Sequence, residues 1–384
     1  MSDRTRGNGN RNVKRRKKKG SNKVLRNIII GVEALVLVAV IVVLIYAFRA
    51  TDEETGVQKY DLPENEIVTN VKEDDPIVEE IKKTYTTLAF FGVDARNGTL
   101  EKGTRTDTII ICAIDNQTGE TRLCSVYRDT LLNIAEPTKD DSEKKVNLQK
   151  CNAAYAYGGP ARALNMLNQN LDLYITQFVT VGFDGVMNTI DAVGGVDIDI
   201  QQNEIQYLND YQKSMYSTET KVDIRDDFIP VENTGLQTLS GYQALAYCRI
   251  RYTAGADYKR TERQRDVLSQ IVVKAKKIDP VRISKICTDV FPYIATNMDL
   301  DKEIIPLASD ASKYNIVASD GFPFGDNKTS GLLGNKGDCV IPKDLESNVK
   351  ELHEFLYPGI EYTPSDTVVD LSQKIKAEAA MYGK

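Results

Sequence analysis

The run NIIIGVEALVLVAVIVVLIYAF, residues 27–48, constrains this chain more than any other feature. It is apolar apart from Asn27 and Glu33. As a helix, a segment of this length rises roughly 33 Å, enough to cross the hydrocarbon core of a bilayer. Lys and Arg crowd its N-terminal side, and the acidic stretch TDEETG follows it from residue 51. The positive-inside rule leaves the N-terminus in the cytoplasm and everything after residue 48 outside the cell. A cleaved signal peptide is the competing reading. The run is long for one, and Ala47-Phe48-Arg49-Ala50 fits an A-x-A cleavage site poorly, so an uncleaved signal-anchor is preferred.

The charge is divided in the same way. Residues 1–26 hold eleven Lys/Arg and one acid, so the remaining 358 residues carry about −16 against a formal total of −6. A general affinity for nucleic acid is not expected of so acidic a domain. With 384 residues, 41% of them hydrophobic, there is material for a sizeable core. The six cysteines, at 112, 124, 151, 248, 287 and 339, form no CxxC pair, and His353 is the only histidine. That argues against a zinc site and against a His-based triad. Outside the membrane an even cysteine count permits disulfides. Cys112 and Cys124 fall near opposite positions of an expected hairpin, and buried free thiols explain them equally well.

Residues 49–84 read as an acidic extracellular stalk, with a short helix near 77–83. A regular pattern then begins. TTLAFFGVD (86–94), TDTIIICAID (106–115) and TRLCSVYRD (121–129) are strands, the last two joined by the turn NQTGE. Residues 152–171 are a helix interrupted at Gly158-Gly159-Pro160. TQFVTVGF is a strand, DGVMNTIDAV a helix ended by Gly194-Gly195, and VDIDI a strand. Residues 203–240 are polar and irregular. GYQALAYCRIRY starts as a helix and ends as a strand or extended segment, and helices fit the amphipathic run from Lys259 to Ile278 and 280–295, 301–313 and 343–356. Such alternation predicts an α/β fold: a three-layer α/β/α sandwich with a central mixed sheet, preceded by one transmembrane helix. The expected domain spans 85–360, and 361–384 is expected as a loosely attached tail.

Paired antiparallel, the first three strands gather Asp94, Arg105, Asp107 and Arg128 at one end of the sheet. Arg105 and Asp107 are two apart and share a face. Surface charges at strand ends are common, but here each apolar strand carries charge at the same end. A second concentration lies in AYCRIRYTAGADYKRTERQRDVL (246–268), with five arginines and a lysine. Arg249 and Arg251 share a face. In the following helix, counting back by four from Leu268 reaches Gln264 and Arg260, which places them inward, while Arg263 and Arg265 are expected in solvent. Salt bridges to Asp257, Glu262 and Asp266 account for some of these charges. Arg249, Arg251, Arg260 and Gln264 form a candidate oxyanion clamp, because arginine's fork matches phosphate oxygens in bidentate fashion. Asp94 and Asp107 beside such a clamp would attract Mg²⁺, with Mn²⁺ as an alternative. The combination points to a membrane-tethered site for a pyrophosphate ester.

The segments GVDAR (92–96), RTD (105–107), VYRD (126–129), NAAYAYGGP (152–160), VGGVDIDI (193–200), GLQTLSGYQALAYCRIRYTAGADYKRTERQR (235–265) and IPKDLESNVKELHEFL (341–356) resemble, in order, the LytR-CpsA-Psr family. The resemblance covers about 85–357. It implies a Mg²⁺-assisted ligase that moves a glycopolymer, such as a teichoic acid or capsule, from a polyprenyl pyrophosphate to peptidoglycan. The expected acceptor is the C6 hydroxyl of N-acetylmuramic acid, and the product a phosphodiester. The resemblance also implies an apolar groove for the lipid. Asp94 and Asp107 match the family's metal-side aspartates. Arg105, Arg128, Arg249, Arg251 and Arg260 match its pyrophosphate-binding arginines, and Gln264 and Asp257 its helix glutamine and the aspartate before it. Lys150 corresponds to a family lysine near that point. Asp257 and Asp107 are the candidate general bases. Tyr127 stands where proline is usual, and Leu132 where some members have arginine. A hydrolase passing the phosphoryl group to water would use the same clamp, and a non-catalytic envelope-binding or regulatory protein is the third possibility.

Overall fold

The computed structural model describes residues 58–60, 62, 66–93, 100, 103–136, 145–215, 228–250, 293–299, 302–303 and 314–384, with helical positions scattered over 263–274. The expected anchor at 27–48 lies outside this set. Among the described residues no helix is long and apolar enough to cross a membrane.

Three apolar strands, β2 (Tyr85–Val93), β3 (Thr106–Asp115) and β4 (Glu120–Val126), form the expected antiparallel meander. β7 (Gln177–Gly182) lies parallel to β2, and β10 (Ile294–Thr296) antiparallel to β7. β1 (Gln58–Lys59) and β11 (Asn315–Phe322) close the two edges, giving a seven-stranded mixed sheet ordered β1-β10-β7-β2-β3-β4-β11. Both faces are covered. Ala89, Ile111 and Cys124 are registered neighbours in the main core, while Leu88, Cys112 and Leu123 are registered on the opposite face and equally buried. Burial on both sides is why these strands read as nearly continuous apolar runs. It also separates two thiols. Cys124 pairs in register with Ile111, so it points away from Cys112, and no disulfide joins the five described cysteines.

Against the main core pack α2 (Ala153–Leu171), α6 (Leu345–Leu356) and α7 (Asp366–Met381). α2 kinks at the expected place: Gly159 has φ 64° and Pro160 follows it. A second apolar cluster joins β8 (Val196–Ile200), β9 (Gly235–Leu239), α3 (Phe183–Ala192), α4 (Ile205–Ser214) and α5 (Gly241–Cys248) to Val267 and Ile271.

Several expectations fail. Residues 361–384 are not a loose tail: Val368, Leu371, Ile375 and Ala379 of α7 are buried in the main core. The stalk is part of the domain from Gln58 onward. β1 joins the sheet, the Tyr60 and Phe178 rings meet edge to face at 5.8 Å, and α1 (Pro76–Thr84) packs on β2. Asn165 of α2 accepts from the Val68 N–H and donates to the Glu66 carbonyl, both at 2.8 Å, which fastens that segment down. Residues 203–240 are not irregular throughout, since they contain α4 and β9. The helix expected over 280–295 gives way to β10 at its end, and β11, β12 (Lys328–Leu332) and β13 (Asp338–Pro342) were not foreseen. Most of 280–313 lies outside the described residues.

Candidate active site

The register brings the charged strand ends together. Gly182, the end of β7, pairs with Val93, the end of β2, and Val93 pairs with Thr106, the start of β3. Phe322 at the end of β11 pairs with Val126 at the end of β4. One edge of the sheet therefore collects the C-terminal ends of both parallel pairs, where α/β sheets hold ligands. Arg105, exposed, precedes β3, and half-buried Asp107 is its second residue.

Beyond β4 the chain turns through 127–130 and enters a short hairpin, β5 (Leu131–Asn133) with β6 (Leu148–Lys150). The turn is well held. Thr130 N–H donates to the Tyr127 carbonyl at 2.9 Å and Asn152 N–H to the Arg128 carbonyl at 3.1 Å. The Cys151 thiol lies 3.3 Å from the carbonyls of both Tyr127 and Arg128, and burial pushes its pKa up, so it is a packing group rather than a nucleophile. The side chains that result form a chain of alternating charge. Arg128 Nη1 donates to Asp107 Oδ1, and Arg128 Nε lies 3.6 Å from Asp129 Oδ2. Lys150 Nζ is 3.4 Å from Asp129 Oδ1. All four are 20–26% exposed, so they are partly desolvated yet reachable from solvent. Arg128 and Lys150 are the groups here that can bind phosphate oxygens by charge-assisted hydrogen bonds.

Asp129 is the member that sequence reasoning missed. It stands in VYRD, within the expected strand 121–129, whose alternation would put neighbouring residues on opposite faces, but the observed strand ends at Val126. The turn cancels that alternation. The two departures from the family pattern also find their reasons. Tyr127 N–H donates to the Phe322 carbonyl at 3.0 Å, joining β4 to β11 in a bond proline cannot make. Leu132 is wholly buried in the main core, where an arginine would lose its hydration.

Arg249 occupies the C-cap of α5, and its guanidinium lies 5.9 Å from the ring centroids of both Phe183 and Tyr211. Phe183 directly follows Gly182, so Arg249 stands at the same sheet edge as Arg105. Arg263 corrects the sequence reading. It is 3% exposed rather than solvated, and it is paired with Glu204. Its partner sits in a distant segment, which helical counting along one element could not reveal. Asp94, Arg251, Asp257, Arg260 and Gln264 lie outside the described residues. Among the described residues no group of three His, Cys, Asp or Glu side chains could hold a metal ion.

Comparison with known proteins fits this arrangement. Residues 46–331 match the model of the LytR_cpsA_psr family. Biofilm regulatory protein A of Streptococcus mutans is 28% identical over 303 residues, covering 71% of this chain and 69% of its own. A Bacillus subtilis protein named polyisoprenyl-teichoic acid–peptidoglycan teichoic acid transferase TagV is 26% identical over 289 residues, covering 75% and 68%. The crystal structure of a Streptococcus agalactiae protein superposes with a TM-score of 0.54 at 24% identity, over 77% of this chain and 95% of that one, and so shares its fold. With the family pattern spanning most of its length and the sheet edge built as described, this chain belongs to the LytR_cpsA_psr family.

Proposed function

We propose that this protein is a membrane-tethered transferase that moves a teichoic acid or similar glycopolymer from a polyprenyl pyrophosphate to peptidoglycan. The observation that carries the proposal is the cluster of Arg128, Asp107, Asp129 and Lys150 at the sheet edge, in a chain whose relative TagV is named a teichoic acid transferase.

Arg105, Arg128, Lys150 and Arg249 would bind the pyrophosphate, with Arg251, Arg260 and Gln264 completing the clamp. The aromatic rings beneath Arg249 leave its guanidinium edge for ligand oxygens. The muramyl C6 oxygen attacks the glycan-linked phosphorus. The bond from that phosphorus to the bridging oxygen breaks, and the polyprenyl monophosphate leaves with the electron pair. The acceptor proton passes to an aspartate, Asp107 or Asp257. Asp107 is oriented for its part by Arg128, which holds the carboxylate against the strand end.

A divalent cation is part of the proposal. The donor set suits Mg²⁺, which is commonly bound through one or two carboxylates plus substrate phosphates. Asp107 offers a partly exposed carboxylate, and Asp94 follows Val93, the residue paired with Thr106. Bound there, the ion would neutralise charge developing on the leaving phosphate.

The full-length chain in detergent, given a labelled glycan on polyprenyl pyrophosphate and uncrosslinked peptidoglycan, tests this. Mg²⁺-dependent label in peptidoglycan is expected, and Arg249→Ala should lower it at least about a hundredfold while the fold persists. Soluble glycan phosphate would mean a hydrolase instead. Transfer by Arg249→Ala at the wild-type rate would sink the clamp assignment.

A further inference from the structure

The least expected charged group outside the described site is Arg263. Its Nε donates to Glu204 Oε1 at 2.8 Å, and its Nη1 donates to the Ile250 carbonyl at 3.1 Å. Its guanidinium lies 5.7 Å from the centroid of the Tyr247 ring of α5. Glu204 is held in turn, since its Oε2 accepts from the Gln201 N–H at 3.0 Å, and it forms the N-cap of α4. Arg263, Glu204 and Ile250 are 3%, 6% and 0% exposed.

A buried ion pair is a poor source of stability, because desolvation offsets most of the attraction and packed apolar side chains do as well. What the pair supplies that leucines could not is direction. A planar guanidinium binds a carboxylate and a carbonyl in one fixed plane. The carbonyl it binds lies between two clamp arginines. Ile250 follows Arg249, and its C=O belongs to the rigid peptide unit that leads into Arg251. The carboxylate belongs to α4, which also carries Tyr211 beneath the Arg249 guanidinium. Arg263 itself sits three residues after Arg260 and just before Gln264. One guanidinium thus ties together three chain segments that carry or support the clamp.

We infer that Arg263 and Glu204 are positioning residues for the pyrophosphate clamp, setting the direction of Arg249 without touching substrate. The inference rests on the proposed phosphotransferase reading.

The test titrates the full-length chain in detergent with farnesyl pyrophosphate and with farnesyl monophosphate. The variants are the apolar double substitution Arg263→Met/Glu204→Leu and the single Arg263→Lys. The double variant should melt near the wild-type temperature, yet lose about tenfold in pyrophosphate affinity, the scale of one weakened charged contact. Monophosphate affinity should change less, so the preference for pyrophosphate shrinks. Arg263→Lys keeps the charge but not the fork, and should show the same loss if the double variant does not fold. A folded variant that keeps the wild-type pyrophosphate preference overturns the inference and makes the pair purely structural. Wild-type protein that binds neither ligand overturns the phosphotransferase reading, and the inference falls with it.

Discussion

His353, the sole histidine, is 3% exposed, stacks on the Tyr362 ring at 3.6 Å and lies 2.9 Å through Nε2 from the Leu171 carbonyl. Burial depresses its pKa from 6.5 to about 4, outweighing the hydrogen bond to Leu171 and the charge of Asp172. Below pH 6.5 the unfolded chain takes up the proton first. Its stabilising contribution is therefore complete above about 6.5 and is lost as pH falls toward about 4. The loss is on the order of 3 kcal/mol. Thermal melts of wild type and His353→Gln between pH 7.5 and 4.5 would check this. The variant should lose less stability on acidification, and parallel curves would refute it. Such a histidine cannot serve as a base at neutral pH from within the core, in keeping with the aspartates assigned that role. At this scale the gathering of Arg105, Asp107 and Arg128 at one end of the sheet was legible from residue type and spacing, because charge at the end of an apolar strand is conspicuous. Arg263 was not, because its partner Glu204 is 59 residues away.

Two elements show what local patterns reveal and hide. Residues 361–384 were expected as a loose tail, yet they hold the 16-residue helix α7. In the structure Ser365 caps it, accepting from the Val368 N–H, and buried Asp172 accepts from Ser365 N and Oγ at 2.7 Å each. Truncation after residue 360 exposes Val368's, Leu371's and Ile375's core contacts, worth roughly 5–9 kcal/mol, comparable with a whole domain's stability. The truncated protein should bind a hydrophobic dye and lack a cooperative melt; a normal melt would show α7 dispensable. α5 depends on closeness instead. A Cβ on Gly241 would overlap the Met187 carbonyl of α3, and Gly241 N–H donates to Asp191 Oδ1 at 2.6 Å. Gly241→Ala should destabilise the fold by about 1–3 kcal/mol. Because Arg249 caps α5, donor affinity should fall with it, as titration of the folded variant would show. An unchanged melting temperature would mean that α3 yields freely.

On the scale of the molecule, two apolar clusters share one sheet edge. The main core presents Arg105, Asp107, Arg128 and Lys150 on β-strand ends and a tight turn, and the second cluster presents Arg249 on a helix end. Their separate origins explain why the arginines are spread over 145 positions of sequence, from 105 to 249. The mixed sheet itself was legible in the alternation of strands and helices. Its edges were not. β1 has two residues and β10 three, too few to show any periodicity, and β11 alternates weakly because much of it is half-exposed.

The sequence by itself determined the meander of β2, β3 and β4, the kink in α2 and the charged residues at the ends of β3 and β4. Those follow from local sterics, apolar period and charge, which act between near neighbours in the chain. Only the tertiary structure decided that the supposed stalk and tail belong to the domain. The same holds for Arg263, which is buried against Glu204, and for Asp129, which stands beside Arg128 and Lys150. Each of these depends on which distant segment supplies the matching apolar face or countercharge, and no local pattern encodes that choice.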